Sequence, residues 1–146
     1  MIYSNQELLH KFDKSLHYIC FVVFLNKKVK VSHQQQTRFA YRMSKGNASL
    51  AYLHPKTKEG ANRPHMHILI GLREQDVTPY IENVFSLFEA NNQKQRFENL
   101  DSENVQTNLR DWRGMFLYIS NEWNARQAEW RFMRPHCERD KCVTAT

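Results

Sequence analysis

Apolar positions fall into short blocks along the chain, and the period inside each block changes from one to the next. Behind Ser4 and Glu7, a capping-box pair, Leu8, Leu9 and Phe12 recur at helical spacing and predict a short helix over residues 5 to 15. "YICFVVFLN", 18 to 26, is a nearly continuous β-branched and aromatic run, which predicts a buried strand. "SHQQQTRFAYRMSKG", 32 to 46, sets Phe39 and Met43 four apart between a Ser32 cap and a Gly46 stop. It predicts a helix whose exposed side carries Arg38, Arg42 and Lys45. "ASLAYLH", 48 to 54, is a second strand, "PKTKEGANR" a polar turn, and "PHMHILIGL" a third strand and hairpin mate of the second. "TPYIENVFSLFEAN", 78 to 91, opens on Thr78 and Pro79, an N-cap and first-turn pair, and predicts a second long helix. The stretch 92 to 104 is polar and without clear period, and a short strand is read near Val105. In residues 107 to 127, Leu109, Trp112, Phe116, Ile119 and Trp123 repeat at steps of three and four, the single apolar stripe of an amphipathic helix.

Composition narrows the class. At 146 residues, 41% hydrophobic with nine Phe and three Trp, the chain suffices for one domain with a real core, and 128 to 146 reads as a basic C-terminal extension. A net charge of +6 spread along the sequence favours a polyanionic partner, nucleic acid before membrane. Three cysteines form no dense framework, and no apolar signal core or run of membrane-spanning length occurs. The expectation is a soluble protein of a reducing, intracellular (cytoplasmic) compartment, with no membrane partner.

Two segments carry chemistry. In "RPHMHILIG", 63 to 71, residues two apart on a strand share a face, so His65 and His67 project together while Met66, Ile68 and Ile70 take the other side. As neutral rings they offer two lone pairs to one cation; the plain alternative is a half-buried strand with two histidines turned to solvent. In "FLYISNEWN", Tyr118 lies off the apolar stripe of its helix, on the side of Asp111, Met115 and Glu122. His136, Cys137 and Cys142 lie close together in "RPHCERDKC", yet their spacing fits no common zinc module, and a basic tail is the plainer account.

The strand bearing His-x-His, followed some fifty residues later by a helix presenting one tyrosine, resembles the HUH endonucleases: rolling-circle replication initiators, relaxases and single-tyrosine transposases. The order, histidines first and tyrosine second, is that of the initiators and single-tyrosine transposases. The resemblance covers residues 18 to about 125 and implies an α+β domain with a ferredoxin-like βαββαβ core, a central antiparallel sheet and helices mainly on one face. It implies a metal-dependent single-stranded DNA endonuclease and strand transferase in which Tyr118 forms a 5′-phosphotyrosine. His65 and His67 are then ligands for Mn²⁺ or Mg²⁺. The third ligand is open: His54, on the preceding strand, matches the initiator pattern, and Glu122, four after the tyrosine, matches the transposase one, where glutamine is usual. Glu59 in the turn is a weaker third choice. A lysine three or four after the tyrosine, frequent in initiators, is missing, which leaves charge stabilisation to Arg113, Arg126 or the metal. Arg38, Arg42, Lys45, Lys56, Lys58 and Arg63 are candidate phosphate contacts, and Tyr52 a candidate base-stacking residue. The leading expectation is a plasmid or phage replication initiator acting on single-stranded origin or hairpin DNA, as monomer or homodimer, with any helicase supplied by the host. A single-tyrosine transposase and a non-catalytic nucleic-acid-binding regulator on the same fold are the rivals.

Overall fold

The computed structural model describes residues 10–12, 14–55, 60, 62–106, 114 and 130–137. Within them the chain runs β1 (His17–Phe24), α1 (His33–Ser44), β2 (Ala48–His54), β3 (His65–Leu72), α2 (Glu74–Asn91), a 3₁₀ turn (Ser102–Asn104), β4 (Val105–Gln106) and β5 (Trp130–Arg134). The five strands form one antiparallel sheet in the order β4-β1-β3-β2-β5. The first four reproduce the ferredoxin-like arrangement, with β3 central between β1 and β2, and the fold class is α+β.

Strand register sorts the side chains into two faces. Because directly opposed residues of antiparallel strands share a face, Ile19, Phe21 and Val23 of β1 join Met66, Ile68, Ile70 and Leu72 of β3 and Ala51 and Leu53 of β2. Phe39, Ala40 and Met43 of α1 and Tyr80, Val84 and Phe88 of α2 close over this face and make one core. The two helices are joined by the buried Tyr80 hydroxyl, which donates to the Met43 carbonyl at 3.0 Å. The opposite face is covered as well: Tyr18, Leu50, Tyr52 and Leu69 are all buried. With both faces covered, the strands read as continuous apolar runs rather than alternating ones.

Local signals set most boundaries. Ser32 caps α1 in a full capping box with Gln35, and Lys45 and Gly46, both at positive φ (50° and 76°), end it. Helix α2 starts four residues before the Thr78–Pro79 pair expected to open it, so that Pro79 lies inside the helix. The start is fixed by Asp76, a buried carboxylate that accepts from the Arg73 side chain at 3.0 Å, and by Glu74; both acids sit in the first turn, where the helix dipole favours them. The early helix expected over residues 5 to 15 falls mostly outside the described residues, with His10 and Lys11 helical.

The stretch set apart as a basic extension contributes a strand. β5 pairs with β2, Phe132 opposite Ala51 packs on the core, and Arg134 donates to Ser44 Oγ at 2.9 Å while lying over the Tyr41 ring. Neither contact leaves a mark in the local sequence, because each depends on where α1 ends. Cys137 is disulfide-bonded, which runs against the reducing compartment expected from the cysteine count and agrees with setting the zinc reading aside.

One row of the covered face depends on a missing side chain. Tyr18, Gly71 and Ala48 are cross-strand neighbours, and a Cβ on Gly71 would stand 2.6 Å from Tyr18 Cε1. Tyr18 is fully buried and has nowhere to turn. Gly71→Ala is therefore expected to destabilise the protein by about 1–3 kcal/mol, the range of an overpacked core, and urea denaturation checks it. An unchanged midpoint would mean the ring is free to move.

Candidate metal centre

On the covered face the register stacks Phe24, His65 and His54 in one row and Val22, His67 and Tyr52 in the next. His54 thus ends β2 directly across from His65, the first residue of β3. The three imidazoles form a triangle, with ring centres 5.6 Å apart for His54 and His65, 5.1 Å for His54 and His67, and 5.0 Å for His65 and His67. His54 and His65 are buried, at 7% and 8% exposure, and His67 is partly buried.

Each ring is held neutral. Burial pulls His54 down to about 4, with His65 adding to it, and pulls His67 down to about 3, with His65 and His54 both contributing. Burial also lowers His65, partly opposed by the Arg63 carbonyl, which its Nδ1 meets at 2.9 Å. That carbonyl is an acceptor, so Nδ1 carries the hydrogen and Nε2 keeps its lone pair, the arrangement by which an outer contact orients a metal-binding histidine. Phe24 flanks His65 at 5.5 Å between centres and carries the Arg63 guanidinium on its ring at 3.8 Å; Arg63 in turn pairs with Glu98 at 3.0 Å.

A nitrogen about 2.1 Å from a metal puts its ring centre about 3 Å away, so two imidazoles on one tetrahedral ion have centres about 5 Å apart. The triangle has that size. As the rings stand their donor atoms do not converge: among the described residues no group of three His, Cys, Asp or Glu side chains is gathered as metal ligands. Residue type, separation and protonation fit a divalent transition ion, and rotation of the rings about their side-chain bonds is what the fit still needs. His67 also borders a cavity of about 180 Å³ lined by Cys20, Phe21, Val22, Glu103, Asn104 and Gln106. Glu103 is an acidic group that no sequence signal singled out, since only the β1–β4 pairing brings it here. Cys20 is no nucleophile, because burial pushes its thiol up to about 12.

The other expected residues divide. Tyr118, Glu122, Arg113, Arg126, Lys56, Lys58 and Glu59 lie outside the described residues. Arg63 rims the histidine site. Arg38, Arg42 and Lys45 are exposed but belong to the helical layer, across the sheet from the imidazoles, because Phe39, Ala40 and Met43 turn α1 toward the other face. They do not flank the histidine strand as expected. Tyr52 is buried and cannot stack a base; it stands beside His54 instead, with ring centres 6.3 Å apart.

Fold and site together define an α+β protein with a ferredoxin-like sheet that carries a largely buried triangle of neutral imidazoles at one end. No known protein family, curated protein or solved structure matches this chain. No described helix is long and apolar enough to cross a membrane.

The neutral histidines make acid sensitivity predictable. The unfolded chain takes up protons near 6.5 whereas the folded one resists until about 4 at His54 and about 3 at His67. Between those limits the unfolded state binds more protons, so stability is complete above about pH 6.5 and is lost as pH falls. Each imidazole contributes a slope of about 1.4 kcal/mol per pH unit. Urea titrations in EDTA from about pH 7.5 to about pH 4.5 should show this slope, and His67→Gln should flatten it; equal slopes in parent and variant would refute the assignment.

Proposed function

We propose that this protein is a metal-dependent single-stranded DNA nicking and joining enzyme that works through a 5′-phosphotyrosine on Tyr118. The observation that carries the reading is the meeting of His54 with His65 and His67 on one sheet face. It supports the replication-initiator variant of the HUH resemblance over the transposase one, because the third imidazole comes from the strand before the histidine pair rather than from the tyrosine segment.

His54, His65 and His67 would hold a divalent ion, and such an ion would supply Lewis-acid polarisation of the scissile phosphate. An imidazole-rich donor set favours a transition ion over Mg²⁺, which makes Mn²⁺ the preferred of the two. Arg63 holds His65 in the metal-binding tautomer through its carbonyl and offers its guanidinium to a phosphate that displaces Glu98. The Tyr118 oxygen bonds to phosphorus as the bond to the 3′ oxygen breaks. Its phenolic proton passes to solvent, and solvent returns one to the departing 3′ oxygen, which leaves as a hydroxyl. One phosphodiester replaces another, so the same site reseals the strand when a 3′ hydroxyl attacks the phosphotyrosine.

The test is a panel of end-labelled single-stranded oligonucleotides incubated with Mn²⁺ and, in parallel, with EDTA. A covalent protein–DNA band together with a released fragment ending in a 3′ hydroxyl supports the reading. Cleavage without an adduct means water is the nucleophile and removes Tyr118 from the mechanism; no cleavage of any strand leaves the regulator reading in its place.

A further inference from the structure

On the helical side of the molecule, away from the imidazoles, a groove of about 240 Å³ runs between α1 and the turn that follows α2. Arg38 and Arg42, one helical turn apart on α1, stand on one side, and Lys94 and Arg96 on the other. Neither of the two ion pairs found among the described residues, Arg63 with Glu98 and Arg73 with Asp76, involves any of these four cations. Among the described residues no carboxylate lines the groove, whose other polar walls are the amides of Gln35, Asn91 and Gln93. A cation near a helix C-terminus is favourable by itself. Four of them facing one another repel, and an anion between them turns that repulsion into attraction.

The floor decides which anion. Phe39 and Phe97 stack at 4.1 Å between ring centres and are both buried, so they present no face on which a base could stack. Without base contacts such a groove grips a phosphate chain and reads no sequence. A phospholipid surface fits less well, because membrane-binding surfaces set exposed apolar side chains beside their cations. The exposed large hydrophobic residues, Val29 and Phe85, do not line this groove.

We infer that the groove between α1 and the turn after α2, lined by Arg38, Arg42, Lys94 and Arg96, is a second nucleic-acid site that holds the phosphodiester backbone without regard to sequence. It lies across the sheet from the histidines and uses none of them. It stands whether or not the imidazoles serve cleavage, and in a cleaving enzyme it keeps hold of nucleic acid on the face away from the cut.

The experiment measures fluorescence-anisotropy binding of the full chain to a random-sequence single-stranded oligonucleotide in EDTA over a salt series. Arg38→Gln with Arg42→Gln, and separately Lys94→Gln with Arg96→Gln, should each weaken binding on the order of tenfold. Each pair should also make the dependence of log affinity on log salt shallower by about 1.4, two single-strand phosphate contacts. Arg38→Lys with Arg42→Lys should keep the parent slope, and thermal melting of all variants should match the parent, since the side chains are on the surface. Unchanged affinity and slope in both glutamine pairs would overturn the inference. So would variants that lose binding to vesicles of mixed phosphatidylserine and phosphatidylcholine while keeping oligonucleotide affinity. Because the measurement is made without metal and without cleavage, its failure leaves the nicking proposal untouched, and an inactive histidine site leaves this result standing.

Discussion

Replacing His67 with alanine is expected to remove Mn²⁺ binding and strand cleavage together, with cleavage falling on the order of a thousandfold or more. The loss of an outer contact to a metal site is worth only about 10- to 100-fold, and His67 is proposed as a direct ligand. It stands about 5 Å, centre to centre, from both other imidazoles, so no remaining pair keeps the triangle. The stability change is expected to be small beside this, about 1–2 kcal/mol for one shortened side chain on a covered face, and the variant should still unfold cooperatively. His54→Ala is the sharper arm. Because His54 lies directly across from His65, titration calorimetry should show Mn²⁺ affinity lost in His54→Ala and kept in Glu122→Ala. The reverse result would move the third ligand to the segment after Tyr118 and favour the transposase arrangement. Parent-like cleavage in His67→Ala would end the metal-site assignment.

Tyr118→Phe should leave the protein as stable as before, within about 0.5 kcal/mol, with Mn²⁺ and oligonucleotide binding unchanged. It should form no covalent protein–DNA species and release no cut strand. The change removes one oxygen, and that oxygen is the nucleophile. An unperturbed phenol has a pKa of about 10 and is a poor nucleophile at neutral pH, so the reacting tyrosine needs a cation or base beside it and an open approach. The buried tyrosines fail that requirement. Tyr18 is fully enclosed, and the Tyr80 hydroxyl is engaged with the Met43 carbonyl while burial pushes its pKa up. Tyr52 is the described tyrosine nearest the histidines, which makes it the proper control. Mass spectrometry of the trapped adduct should find DNA on the peptide spanning 114 to 126. An adduct on the Tyr52 peptide, or full activity in Tyr118→Phe, would overturn the mechanism.

These two expectations rest on different grounds. The tyrosine was read from the sequence alone, as a residue off the apolar stripe of its segment. The sequence names His54 beside Glu122 as a third ligand, and the strand pairing seats His54 next to the other two histidines. His54 and His65 are eleven residues apart in the chain, and it is the β2–β3 register that makes them neighbours. A slip of one residue would have turned His54 to the helical face.

The sequence by itself determined what local physics determines. Strong β-branched runs placed β1, β2 and β3 to within two residues, Ser32 with Gln35 placed the start of α1, and the spacing of two set His65 and His67 on a common face. It misjudged the start of α2, because a proline inside a helix is tolerated when a buried Asp76 and Arg73 fix the first turn upstream. It missed β5, whose pairing partner β2 lies more than seventy residues earlier. What only the tertiary structure decided is which face of the sheet is which. The helices cover the Met66, Ile68 and Ile70 side, so the imidazoles are gathered on the other, Glu103 comes to border the cavity beside His67, and Arg38 and Arg42 are carried across the sheet to a groove of their own. Spacing along a strand fixes which residues point together; strand pairing and layer packing fix what they meet, and those contacts are made between residues that the sequence keeps far apart.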